Sequence, residues 1–245
     1  MMARRAGFSS LALLAALCVA GSAIFAAAQG IPAPRGSEAT AGLRDDPPRI
    51  HRTACAAVVS GLVEASLAPP LGDGECGETS PLRLTSVAGV DLPSRPLVNC
   101  ATASGFAELV VALRDAGNDI ASIVTGPGYE CRIRNRAAEG KLSEHGFANA
   151  IDISQLELRD GTTVSVEADW PHLPEADLAL STDEKKASRN GRAQGPAARL
   201  LADVSATACR FFTTVLTPDS NAAHHGHIHL DLGCHGKDCT YRICE

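Results

Sequence analysis

Two short stretches hold most of the residues able to do chemistry. One is Leu142-Ser143-Glu144-His145-Gly146-Phe147-Ala148-Asn149-Ala150-Ile151-Asp152, and the other is His224-His225-Gly226-His227-Ile228-His229-Leu230-Asp231. Along a strand, side chains alternate faces. His227, His229 and Asp231 then point one way, and Ile228, Leu230 and Leu232 the other. Ile151 and Ile153 flank Asp152 in the same manner, so its carboxylate faces away from the apolar side. A His, an Asp and a further His suffice for a three-ligand zinc site with the fourth position open to water. Such a site makes bound water nucleophilic near neutral pH and polarises a carbonyl. A remaining histidine can move protons or steady an oxyanion. Blander roles fit the same residues. The His-rich run can be a surface tract with incidental metal affinity, His145 a hydrogen-bonded loop histidine, and Asp152 an edge-strand carboxylate. Spacing alone leaves the reaction undecided.

The elements that must position these residues can be read from periodicity. Cys55, Val58, Val59 and Leu62 fall at helical spacing, and the helix they predict ends before Pro69-Pro70. Phe106, Leu109, Val110 and Leu113 mark a second helix, closed by Gly117. Residues 120–125 are β-branched and short enough for a strand, and 150–154 and 162–167 read as two more around an Asp160-Gly161 turn. The polar segment from Ser181 to Gly195 reads as a solvated loop. A third helix is expected from about Pro196 to Leu216, with Leu200, Leu201, Val204, Ala208, Phe211 and Val215 on one face, ended by Pro218. His227 to Leu232 alternates as a strand. Helices mixed with neighbouring strands, without a βαβ rhythm, indicate an α+β fold.

Composition bounds the function. The 245 residues are 45% hydrophobic and 20% charged, which suits one good core and excludes wholesale disorder. Arg4 and Arg5, the apolar run Leu11 to Phe25 and Ala26-Ala27-Ala28 form the pattern of a secretory signal peptide spanning residues 1–28, so no stable membrane insertion is expected after cleavage. Losing Arg4 and Arg5 moves the net charge from −6 (22 basic, 28 acidic) to −8, which disfavours nucleic acid as a partner. Residues 29–52, with Pro32, Pro34, Pro47 and Pro48, read as a flexible linker to a folded domain at 53–245. Cys18 leaves with the signal, and the remaining eight cysteines argue for disulfides in an oxidising compartment. Cys234, Cys239 and Cys244 lack zinc-knuckle spacing and read as staples of the C-terminal tail.

The segment Ser143-Glu144-His145-Gly146-Phe147-Ala148-Asn149-Ala150-Ile151-Asp152, with His227-x-His229 far downstream, resembles the zinc peptidase group of D-alanyl-D-alanine peptidases, lysostaphin-type endopeptidases and hedgehog-like domains. That group's pattern is S-x-H-x-x-G-x-A-x-D; here Ala148 holds the glycine position and a glycine stands at 146 instead. More closely, the chain resembles the bacterial extensin-like C-terminal domain family. The matching pieces are Gly128-Tyr129-Glu130-Cys131-Arg132, Leu142 to His145, Asn149 to Asp152, Ala208-Cys209-x-x-Phe212 and His224-x-x-His227-x-His229-x-Asp231. The resemblance implies a small antiparallel sheet carrying a zinc site, packed with helices and stapled by disulfides. It implies that His145, Asp152 and His229 hold Zn2+, with His227 as the catalytic histidine and His224 as a possible second one. Arg132 would face a substrate carboxylate or the scissile carbonyl, and Ser143 would bind substrate or the first-motif loop. Asp231 would orient His229. The glutamate that serves as base in the dipeptidases, three residues before the last ligand, is replaced by Gly226. The function implied is an exported, periplasmic or wall-associated peptidase cutting D-alanyl amides in peptidoglycan. The alternative is a zinc-bearing wall-binding module without catalysis. The sequence leaves the oligomeric state undecided.

Overall fold

The computed structural model describes residues 54–177, 179–192 and 195–245. The signal peptide and linker expected over 1–52 lie outside these residues.

In chain order the elements are α1 (Ala56–Val59), β1 (Val63–Leu67), β2 (Leu71–Asp73), β3 (Cys76–Glu78), β4 (Leu82–Val87), β5 (Val90–Asp91), β6 (Leu97–Val98), α2 (Cys100–Asp115) and β7 (Ile120–Thr125). After a loop come β8 (Ala150–Leu158), β9 (Thr163–Ser165), α3 (Val166–Asp169), α4 (Thr182–Arg192), α5 (Pro196–Ala208), β10 (Thr214–Leu216), β11 (Ile228–Asp231) and β12 (Ile243–Cys244). The fold is mixed and mostly sheet. The expected small antiparallel sheet is instead ten-stranded, ordered β1-β4-β5-β7-β8-β11-β10-β12, with β6 on β4 and β9 on β8. Its pairs are antiparallel except β5–β7 and β10–β12, which are parallel, and β2 and β3 form a separate hairpin. Short local strands, several of two or three residues, account for the larger count: hydrophobic periodicity cannot register elements that brief.

α2 forms as expected. The Asn99 side chain accepts the Thr102 N–H at 2.8 Å to cap its start, and Gly117 (φ +93°) follows its end. Phe106, Leu109, Val110 and Leu113 of α2 share one core with Leu200, Leu201 and Val204 of α5 and with Ile123, Ile151, Ile153, Ile228 and Leu230 of the sheet. The isoleucines beside Asp152 and the residues beside His229 are thus the anchors that turn the polar side chains to the other face.

Four expectations are corrected. The first helix is only Ala56–Val59, because Gly61 (φ +76°) turns the chain into β1, so Pro69-Pro70 follow a strand. The third helix stops at Ala208, not Leu216: Cys209 is bridged to Cys244, Phe212 turns into the core, and Thr213-Thr214-Val215 suits the strand that pairs with β11. The segment 181–195 contains α4, started by Ser181, whose N–H and Oγ both bond Glu184 Oε2 (2.9 and 2.6 Å). A solvated helix and a solvated loop share a polar composition. The strand over 162–167 is Thr163–Ser165 and gives way to α3, capped by Ser165.

All eight cysteines of the described region pair: Cys55–Cys100, Cys76–Cys131, Cys209–Cys244 and Cys234–Cys239. The last two staple the C-terminal tail. Among the described residues no helix is long and apolar enough to cross a membrane, and the disulfides point to an oxidising environment.

Phe212 is fully buried, and its ring closes on Gly105 of α2, where an added Cβ would stand 3.6 Å from it. Phe212→Ala is expected to lower stability by about 3–5 kcal/mol in urea denaturation. Val59→Ala, at a residue 75% exposed, should stay within about 0.5 kcal/mol of wild type.

Candidate metal centre

The site is built from one cross-strand pair and one turn. In the β8–β11 ladder Asp152 stands directly opposite His229, and residues so paired carry their side chains on the same face. His145 reaches the same point from the single turn of 3-10 helix Glu144–Phe147. His229 Nδ1 lies 2.9 Å from Asp152 Oδ1, His145 Nε2 lies 3.2 Å from that oxygen, and the two nitrogens are 3.1 Å apart. Tetrahedral zinc bonds of ~2.0–2.1 Å place ligand atoms about 3.3 Å apart, so the triangle needs only slight expansion to hold such an ion. Among the described residues this is the one group of three or more His, Cys, Asp or Glu donors that could hold a metal.

The outer nitrogens of both imidazoles are engaged, which fixes the inner ones. His145 Nδ1–H donates to the Gly128 carbonyl (2.5 Å), leaving the Nε2 lone pair to the site. His229 Nε2–H donates to Asp231 Oδ2 (2.9 Å), leaving Nδ1 to the site. Metal-binding histidines need this support to hold tautomer and ring plane. Gly128 is required by geometry: φ is +78°, and a Cβ there would stand 2.2 Å from the Leu97 carbonyl oxygen. The Cys76–Cys131 bridge lies against the turn that carries His145, and an added Cβ at Gly146 would meet Cys76 Sγ at 2.7 Å.

In the ion-free state the neighbouring carboxylates favour a protonated His229. Burial works against charge on His229, but hydrogen bonds and the charges of Asp152 and Asp231 push its pKa up to about 9. Burial likewise opposes ionisation of Asp152, yet the adjoining His145 and His229 hold it well below the ordinary carboxylate range.

A cavity of about 200 Å³ adjoins the triangle, lined by Arg132, Ser143, His224, His229, Asp231 and His235 among others. His224 is buried, with its ring 5.5 Å from that of His229. Its Nδ1–H donates to Asn221 Oδ1 (2.8 Å), so Nε2 carries a lone pair. Burial and the neighbouring His229 and His227 press its pKa down to about 4. His227 lies just before β11, not in it. Its Nε2 is 3.8 Å from Asp152 Oδ1, and burial lowers its pKa. Arg132 Nε donates to Glu130 (2.8 Å), with its side chain 20% exposed. Ser143 Oγ accepts the His145 N–H (3.4 Å), so it caps the turn bearing His145. Glu144 bonds Arg134 and Asn149.

The family described as Extensin-like protein C-terminus matches residues 53–187 and 180–245. The chain belongs to that family. No curated protein and no solved structure matches the chain.

In this extensin-like domain all seven site residues expected from sequence fall in one neighbourhood: the triangle itself, the cavity beside it, or, for His227, within 4 Å of Asp152. Ala148 explains the unusual glycine placement. It has φ +51° and ψ 24°, the left-handed region in which glycine is at ease. The turn therefore closes with alanine at a conformational cost. Sequence reasoning gave no role to Gly128, whose carbonyl orients His145, nor to Thr214 and His235; the signals for these are a backbone contact and a strand register.

Zinc must displace the His229 proton, so apparent zinc affinity should rise about tenfold per pH unit between about 6.5 and 9, measured by chelator competition. The sign for the zinc-free protein is opposite. The raised pKa contributes stability that is complete below about 6.5 and disappears as pH passes about 9. Gly128→Ala should weaken zinc at least tenfold in the same assay, because displacing its carbonyl unfixes His145.

Proposed function

We propose that this domain is an exported zinc peptidase that cleaves D-alanyl amide bonds in the stem or cross-bridge peptides of peptidoglycan. The observation that carries the reading is the His145–Asp152–His229 triangle, whose His229 lines a cavity shared with Arg132 and His224. Two neutral nitrogens and one carboxylate oxygen suit zinc, whereas magnesium and calcium favour oxygen ligands. His145, Asp152 and His229 would hold the zinc, which would supply Lewis acidity and a water of lowered pKa for amide hydrolysis.

The remaining steps belong to the chain. Burial lowers the His227 pKa, which favours the neutral imidazole needed to take up a proton from the attacking water and return it to the leaving amine. His224, pinned through Nδ1 to Asn221, offers Nε2 as an acceptor that orients a donor in the cavity. Arg132 is held through Nε by Glu130, which leaves its Nη fork for a substrate carboxylate or the scissile carbonyl. Ser143 keeps the His145 turn in shape. The Arg4-Arg5 and apolar N-terminal pattern, with four disulfides downstream, supports action in the periplasm or at the wall.

One observation favours a second reading, a zinc-bearing wall-binding module without catalysis. Gly226 stands where the resembling dipeptidases carry their glutamate base. Incubation of purified sacculi with the oxidised, zinc-loaded protein separates the two. New muropeptides by liquid chromatography, absent with His229→Ala, are expected for the peptidase. Sacculus binding with an unchanged muropeptide profile would replace it with the binding module.

A further inference from the structure

The Cys234–Cys239 bridge closes a loop of very short span, with a sequence separation of 5. So short a loop removes less entropy from the unfolded chain than the three longer bridges do. The tail has two further restraints, the pairing of β12 with β10 and the Cys209–Cys244 bridge. What the loop does hold is His235. Its Nε2 lies 2.6 Å from Thr214 Oγ1. Thr214 is the cross-strand partner of Asp231 in the β10–β11 ladder, so its side chain stands on the same face beside the Asp231 carboxylate, which it helps to hold ionised. Asp231 in turn receives the His229 Nε2–H at 2.9 Å and the Gly233 N–H at 2.8 Å.

The direction of each bond follows from chemistry. A carboxylate only accepts, so any bond between Thr214 and Asp231 is donated by the threonine hydroxyl. The Thr214 oxygen then has only lone pairs to offer, and His235 must donate Nε2–H to it. Every donor in the series His235, Thr214, Asp231 therefore points inward, toward the carboxylate that fixes the His229 ring. Neither the motif pattern nor the proposed mechanism uses Thr214 or His235.

We infer that Thr214 and His235 are positioning residues of the metal centre, and that the Cys234–Cys239 loop anchors them, so that the tail tunes how tightly His229 binds the ion. The inference rests on the metal reading above. Outer partners of metal-bound histidines change affinity by roughly 10–100-fold when removed, and the series places one such partner under the control of a surface loop.

The test compares zinc affinity of oxidised full-length protein, by competition with a chromophoric chelator, for wild type, Thr214→Val, Thr214→Ser, His235→Ala and the double variant Cys234→Ser/Cys239→Ser. Urea midpoints of the zinc-free proteins are recorded alongside. Thr214→Val is expected to bind zinc about 10-fold more weakly, and Thr214→Ser, which keeps the hydroxyl, to recover at least half of that loss on a logarithmic scale. His235→Ala and the bridge variant should each weaken zinc by about 3–10-fold, with the urea midpoint of His235→Ala unchanged. Thr214→Val within twofold of wild type overturns the inference, as does a loss that serine does not restore or that tracks the zinc-free midpoint. Wild-type affinity in both His235→Ala and the bridge variant overturns the anchoring. A wild type that takes up no zinc overturns the metal reading itself, which separates that failure from the others.

Discussion

Asp152 and His229 face each other across two antiparallel strands, and everything of functional interest depends on that register. Both strands bury isoleucine and leucine on one side, so a slip of one residue would turn the carboxylate and the imidazole into the core. The apolar residues between the polar ones are therefore what fixes the site. Ile151, Ile153, Ile228 and Leu230 commit the strands to one register, and the side chains left on the opposite face converge. His145 completes the set from a turn, and a turn needs other restraints. These are the Ser143 cap, the Cys76–Cys131 bridge packed on Gly146, and the Gly128 carbonyl.

Two acids flank His229 in different ways. Asp152 shares the triangle with it, while Asp231 sits behind the ring and accepts from its outer nitrogen. In the absence of an ion this sandwich stabilises an imidazolium, which satisfies the two buried carboxylates. The same arrangement is ready to exchange that proton for a divalent cation. His224 and His227 lie beside the triangle under the opposite influence, since burial and the cationic neighbour keep them neutral.

Much of this was legible in the sequence, and the failures have physical causes. α2 and β7 were readable because their patterns are long and clearly periodic. The strand carrying His229 was readable because histidines alternate with branched apolar residues. The end of α5 was not, because Phe211 and Val215 happen to continue the helical spacing while the Cys209–Cys244 bridge and the pairing of Thr214 with Asp231 impose a strand. α4 was missed because its polarity is shared by loops. Within the site, Asp152 and His229 announce themselves by alternation, whereas Thr214 and His235 matter through a register and a disulfide that no local pattern encodes. Ala148 was marked by the sequence as a departure, and the backbone supplies the reason, since it sits in the left-handed region at the position where the resembling pattern places glycine.

The central claim is that three donor atoms from a turn and two strands grip one divalent cation. The most direct measurement is a crystal of the zinc-treated protein with diffraction collected on both sides of the zinc absorption edge. The account predicts one strong anomalous peak per chain within bonding distance, about 2.0–2.2 Å, of His145 Nε2, His229 Nδ1 and an Asp152 carboxylate oxygen. A peak elsewhere, for instance on His172 and His225, with the triangle still closed on itself, would contradict it.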